Sequence, residues 1–185
     1  SISAAGYSVL SSTRGNNTKA MYRLAFSARR INNSKFSVET YMNYRQTFLS
    51  TDSGSYRPKD VFNIYNLAVQ FDASPTLTFV LGRKINPKVS SIGAIDGLQA
   101  EKSFGNFYTG IIAGFRPDVI DYTFNPDLLQ YGGFIGLKND TKSINSQTTL
   151  GLLDQKNSGS TDRRYAYFQH SSTIGGKVNI FSSVE

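Results

Sequence analysis

Cysteine is absent from these 185 residues, which excludes disulfide staples, thiolate metal sites and cysteine nucleophiles. Histidine occurs once, at His170, too few for a multi-histidine metal centre or a histidine relay. Tryptophan is missing too. No run of 18 apolar residues occurs, which excludes a transmembrane helix and leaves a β-barrel untouched, because barrel strands give a far weaker hydropathy signal. No stretch combines a 3.6-residue apolar period with a helix cap. What the chain does have is 13 Phe, 11 Tyr and a formal net charge of +7. The aromatic load suits strands. The charge suits a nucleic acid, an anionic surface or anion-attracting loops.

Apolar residues recur with period two. Ala20, Tyr22, Leu24, Phe26 and Ala28 alternate with Lys19, Met21, Arg23, Ala25, Ser27 and Arg29. Phe36, Val38, Thr40, Met42 and Tyr44 alternate with Ser37, Glu39, Tyr41, Asn43 and Arg45. Such alternation over about ten residues marks a strand with two unlike faces. Val61, Tyr65, Leu67, Val69 and Phe71 read as one face of a further strand, and Phe107, Ile111, Ala113 and Phe115 as another. The pattern predicts eleven strands over 5–13, 18–30, 35–49, 61–71, 76–85, 93–103, 107–115, 130–138, 143–153, 163–170 and 173–184. The fold class is all-β, a single domain over 1–185.

The predicted connections alternate in length. Short ones fall at Ile31–Ser34, Asp72–Pro75, Phe104–Asn106, Asn139–Lys142 and Ser171–Ser172; longer ones at Ser50–Asp60, Asn86–Ile92, Arg116–Leu129 and Asp154–Asp162. Only Arg14–Asn17 blurs the rule. Sorting loops by end is what an antiparallel up-and-down meander does, and outer-membrane barrels pair short periplasmic turns with long external loops. A Greek-key sandwich has no reason to sort them. Phe36 and Phe48 bracket one apolar row 12 residues apart, which is roughly 30 Å at ~3.3 Å per residue and ~40° tilt, near the spacing of aromatic girdles.

The stretch Leu81-Gly82-Arg83-Lys84-Ile85-Asn86-Pro87, followed by Gly93–Glu101 and by Gly114-Phe115-Arg116-Pro117-Asp118, resembles the porin-like outer-membrane β-barrel proteins of Bacteroidota, a largely uncharacterised group. The likeness is clearest over 60–118. It implies a transmembrane β-barrel in the bacterial outer membrane, with the lipid bilayer and other envelope proteins as partners, and it carries no catalytic residues across. Eleven is an odd count for such barrels, and Ser183-Val184-Glu185 lacks the terminal aromatic they usually carry. The expectation is therefore a portion of a larger barrel.

Candidate chemistry is sparse. Lys19, Arg23, Arg29 and Arg45 fall on the row opposite the apolar one, with Glu39 the lone acid among them. If the apolar row meets lipid, these cations line a lumen and favour anions; cross-strand acids would cancel that field. Gly82-Arg83-Lys84 could hold an anion, but no helix follows it, so it is no phosphate loop. Gly82 and Gly97 inside strands mark a bend, a bulge or a close backbone approach. Asp118, Asp121, Asn125 and Asp127 resemble a hard-cation set without the spacing of an EF-hand, and Asp118 with Asp121 could be paired carboxylates. His170 reads as a strand-end residue, since the chain has no G-x-S-x-G turn. Lys and Arg are spread along the chain instead of clustered, against a nucleic-acid surface. The reading is a non-enzymatic pore or envelope scaffold with no cofactor or metal. The alternative is a soluble lipocalin-like barrel holding an apolar ligand.

Overall fold

The computed structural model describes residues 2–9, 17–49, 57–141 and 143–185. Eleven strands form one antiparallel sheet: β1 (Ile2–Val9), β2 (Asn17–Ala28), β3 (Phe36–Leu49), β4 (Arg57–Ser74), β5 (Leu77–Ile85), β6 (Ala94–Phe104), β7 (Phe107–Phe115), β8 (Leu128–Asp140), β9 (Ile144–Asn157), β10 (Ser160–Ile174) and β11 (Val178–Val184). Each strand pairs with its neighbours in sequence and the order runs straight from β1 to β11. β1 and β11 do not pair, so the sheet is open and the expected closure is not seen. Residues 10–16, which include the top of the first predicted strand and most of its connection, lie outside the described residues, as do 50–56.

Burial on this sheet is inverted in part: one face leaves its apolar side chains exposed, while the other buries polar side chains beside an apolar cluster. Leu81, Ile111 and Leu152 are 63%, 60% and 71% exposed, while Gln130, Thr149 and Gln169 on the other face are at 0%, 1% and 3%. Register explains it: Leu81 faces Leu98, Leu98 faces Ala113, and Ile135 faces Leu150, so one apolar row crosses strand after strand. Aromatic pairs mark both margins of that row. Phe36 stacks near Phe71 at 4.8 Å and Phe104 near Phe107 at 6.5 Å by the short turns; Tyr22 meets Tyr44 at 6.1 Å toward the other end.

The opposite face is concave. The connection between β5 and β6 reaches across it to touch β9 and β10, which requires the sheet to curl. Small residues let the strands approach there: Ala68, Gly82, Gly97 and Gly114 stand in register across β4–β7. A Cβ on Gly97 would lie 2.2 Å from the Ala113 carbonyl oxygen, so the close approach read from the sequence is real. Two aromatics lie over glycines directly opposite, Tyr108 over Gly136 and Phe134 over Gly110. A Cβ on Gly136 would sit 2.3 Å from Tyr108 Cζ and 2.4 Å from the Thr148 carbonyl oxygen. We expect Gly136→Ala to displace Tyr108 from its 2.6 Å hydrogen bond with Thr149 and to cost ~1–3 kcal/mol, read as a lower denaturant midpoint.

Three sequence expectations change. The polar run Asp154–Asp162 is no loop: β9 and β10 continue through it and meet at Ser158-Gly159, both at positive φ (49° and 83°), as the tight hairpin turn matching sheet twist requires. Asp154 and Arg164 stand opposite each other and pair at 2.7 Å, so polarity here is cross-strand pairing. Ser171-Ser172 is likewise strand, and the turn falls on Gly175-Gly176, at φ 59° and 68°. Finally, the register of β3 and β4 shifts where Tyr41 pairs with Asn66 and Met42 with Ile64. Tyr65 is the extra residue of a β-bulge, which turns Val61 to the face opposite Leu67 and Val69.

Candidate functional site

The connection from Asn86 to Gly93 is the feature on which the concave face is built. Asn86 accepts the Lys88 N–H on its side-chain oxygen at 2.9 Å, Pro87 opens a short 3-10 turn over Pro87–Ile92, and Gly93, at φ 84°, returns the chain to β6. The turn points inward. Val89 and Ile92 are buried against Ile95, Tyr108, Phe134 and Tyr167. The expected hairpin of β5 and β6 is present, from Leu77 opposite Lys102 to Ile85 opposite Ala94, but its loop does not stand free in solvent.

One side chain fastens the turn to the far wall. Gln169 on β10 accepts from Ser90 N–H at 3.1 Å and from the Ser90 hydroxyl at 3.0 Å, while its amide nitrogen donates to the Pro87 carbonyl at 2.9 Å. Tyr167 donates to the same Gln169 oxygen, which leaves that amide satisfied in a water-poor place.

Beside the turn lies a polar cavity of about 260 Å³ lined by Gln70, Thr78, Lys84, Lys88, Gln99 and Glu101 among others. Its charges are paired. Lys84 reaches Glu39 at 2.9 Å, Lys88 pairs with Glu101, and the Lys88 ammonium also sits 4.2 Å from the centroid of the Tyr108 ring. Gln99 donates to the Lys84 carbonyl at 2.9 Å and holds that strand end in place. The cavity offers both donors and acceptors, with balanced charge.

The basic residues singled out in the sequence lie to one side of this cavity. Lys19, Arg23 and Arg45 are on the same face of β2–β3 as Glu39, with Lys19 opposite Thr47 and Arg45 opposite Met21. Arg29 follows the end of β2, within electrostatic range of Glu39. Arg23 and Arg45 are exposed, and Arg23 donates to Met21 Sδ at 3.2 Å. Lys88, Glu101 and Gln169, which help hold the inward turn and cavity together, were not among the candidates, while Glu39 was read only as the lone acid of the basic row and Lys84 only as part of an anion site with Arg83. Alternation would have placed Lys84 and Glu101 on the polar face; nothing local announces that the loop bends inward to meet Gln169.

Other candidates take different places. Arg83 and Lys84 point to opposite faces of β5, so they hold no common anion. Arg83 instead pairs with Asp96 across the apolar face, at 2.5 Å through Nε and through Nη2. Asp118 accepts the Ile120 N–H at 2.7 Å and Asp121 accepts the Thr123 hydroxyl at 2.7 Å, so both carboxylates serve as turn caps of their own loop. The Thr123 hydroxyl, and then its N–H, hold the Asp121 carboxyl below its usual range. His170 lies within β10 and shares a 2.8 Å hydrogen bond with the Thr148 hydroxyl. Among the described residues, no three His, Asp or Glu side chains converge as a metal would need.

An open antiparallel meander with an apolar outer face and a loop folded over a polar inner one is the class of architecture defined here. No family model, curated protein or solved structure matches the chain.

Proposed function

We propose that this chain forms wall and constriction of an outer-membrane β-barrel channel. The observation that carries the reading is the inverted burial: a continuous exposed apolar row bounded by aromatic pairs, backed by a face where glutamines and threonines are buried. Lipid replaces water as the solvent of such an apolar face, and a bilayer tolerates strands only when every backbone group is paired. The unpaired edges of β1 and β11 are then closed by further strands of the same protein. Barrels of more than eight strands enclose space beyond what side chains fill. The turn over Pro87–Ile92 takes up part of that space and sets the narrowest passage.

Selectivity follows from where the charges lie. The passage beside the turn is balanced by its Lys84–Glu39 and Lys88–Glu101 pairs, so size and hydrogen bonding govern it. Lys19, Arg23, Arg29 and Arg45 give the neighbouring wall a positive potential and a modest preference for anions. A soluble ligand-binding barrel would present its apolar row to the inside.

The test is to extract the native protein in detergent and compare its gel mobility before and after boiling, then to record conductance in planar bilayers. A closed barrel migrates differently once boiled. Replacing Pro87–Ile92 by a short Asn-Gly hairpin is expected to raise single-channel conductance and leave the heat-dependent shift intact. A reversal potential favouring cations would remove the anion preference, and a protein found in the soluble fraction without any shift would remove the channel.

A further inference from the structure

The loop between β7 and β8, residues 116–127, packs on the sheet. It straddles the rim of the wall, with Phe124 on the apolar face and Tyr122 against Tyr65, which packs on Tyr41 of the concave face. Phe124 packs edge-on against Phe115, with ring centroids at 5.3 Å, and closes a recess lined by Ile64, Leu67 and Leu81. Tyr122 meets Tyr65 edge-on at 4.7 Å, and the Tyr122 carbonyl accepts from Arg83. The underside of the loop is therefore fixed to the wall.

Its tip points the other way. Val119 and Ile120 are 69% and 86% exposed, two adjacent aliphatic side chains without a contact on the sheet that would bury them. They are held out by structure, since the Asp118 carboxylate caps the Ile120 N–H, Asp121 caps Thr123, and the Tyr122 N–H donates to the Asp118 carbonyl at 3.1 Å. Both carboxylates accept hydrogen bonds from their own turn, so the tip presents aliphatic surface flanked by two acids that face their own backbone.

We infer that this loop is a rim anchor whose Val119 and Ile120 insert into the acyl boundary of the bilayer beside the barrel wall. The inference rests on the channel reading above. The occupant is lipid because the loop is continuous with the exposed apolar row through Phe124, which lies at the margin of that row, the depth at which aromatics gather in membrane barrels. Two aliphatic side chains are a small anchor, and their effect is to hold the loop down against the wall, not to tether the protein.

These 185 residues hold no tryptophan, and any elsewhere in the protein is first replaced by phenylalanine. Two single-tryptophan variants are reconstituted in phosphatidylcholine vesicles with plain or brominated acyl chains. Ile120→Trp probes the loop and Ile111→Trp probes the centre of the apolar row, and both positions are exposed enough to take the larger ring. The expected result is loss of intensity in brominated vesicles for both, with blue-shifted emission at position 120. Quenching at 111 together with water-like, iodide-accessible emission at 120 overturns the anchor and leaves the channel reading standing. A tryptophan at 120 that is unquenched by bromine and yet shielded from iodide also overturns it, in favour of a protein contact. Absence of quenching at both positions overturns the channel reading itself.

Discussion

Ile111→Arg is expected to abolish assembly in membranes. Ile111 is 60% exposed at the middle of β7, on the row it shares with Ala100 and Gly133. If that row faces hydrocarbon, an arginine near the bilayer midplane costs ~2–4 kcal/mol, roughly a 30- to 700-fold drop in the folding equilibrium constant. If the row faces water, the same substitution on an exposed strand changes stability by no more than about 0.5 kcal/mol. Urea titration of protein refolded into vesicles gives the free energy directly, and the fraction showing a heat-dependent gel shift gives the assembly yield. A variant that assembles as well as the parent would place the row in water and overturn the membrane reading. Arginine at 120, in the loop, should be far milder, because shallow positions cost ~0–1 kcal/mol.

The meander was legible because strand alternation is a local signal. From Lys19 to Val38, and from Leu77 to Phe115, the side-chain period gives the strands and which residues share a face, and the alternating connection lengths give their order. It failed where two rules gave the same local pattern. Asp154–Asp162 is polar as a loop is polar, yet its charges are cross-strand partners, and only pairing separates the two cases. Ser171-Ser172 looked like a turn because small polar residues favour turns, while the Gly175-Gly176 pair that makes one was available three residues on. At Tyr65 one inserted residue inverted the face of everything before it, which no count of apolar positions reveals.

The inward turn was invisible for a different reason. Ser90 and Gln169 are 79 residues apart, and each is an ordinary polar residue in its own segment. Their contact exists because the sheet curls, and curling depends on registers such as Gly82 opposite Gly97 and Gly97 opposite Gly114. Those glycines were noticed in the sequence; what they allow across the concave face is a property of the whole sheet.

Asp96→Ala should be among the most destabilising substitutions on the apolar face. Arg83 is 9% exposed and Asp96 14%, and they form a two-bond pair among Leu81, Leu98 and Phe115. The two Nη1 donors are taken by the Ile64 carbonyl, at 2.7 Å, and by the Tyr122 carbonyl. Ile64 lies beyond the last β4–β5 pair, Leu67 with Arg83, so the guanidinium reaches a backbone oxygen past the end of that ladder. Removing Asp96 leaves a buried cation with two neutral acceptors, and breaking such a pair from one side typically costs ~3–5 kcal/mol. Removing both charges tells the two contributions apart. Arg83→Met with Asp96→Leu discards the pair and its desolvation together, and it should recover most of the stability lost by Asp96→Ala, leaving a deficit of ~1–3 kcal/mol from the unpaired Ile64 and Tyr122 oxygens. The double variant should also free the 116–127 loop from the wall, seen as faster amide exchange at Tyr122 and Thr123. A double variant as unstable as Asp96→Ala would mean that Arg83 matters for its backbone contacts and not for its charge partner.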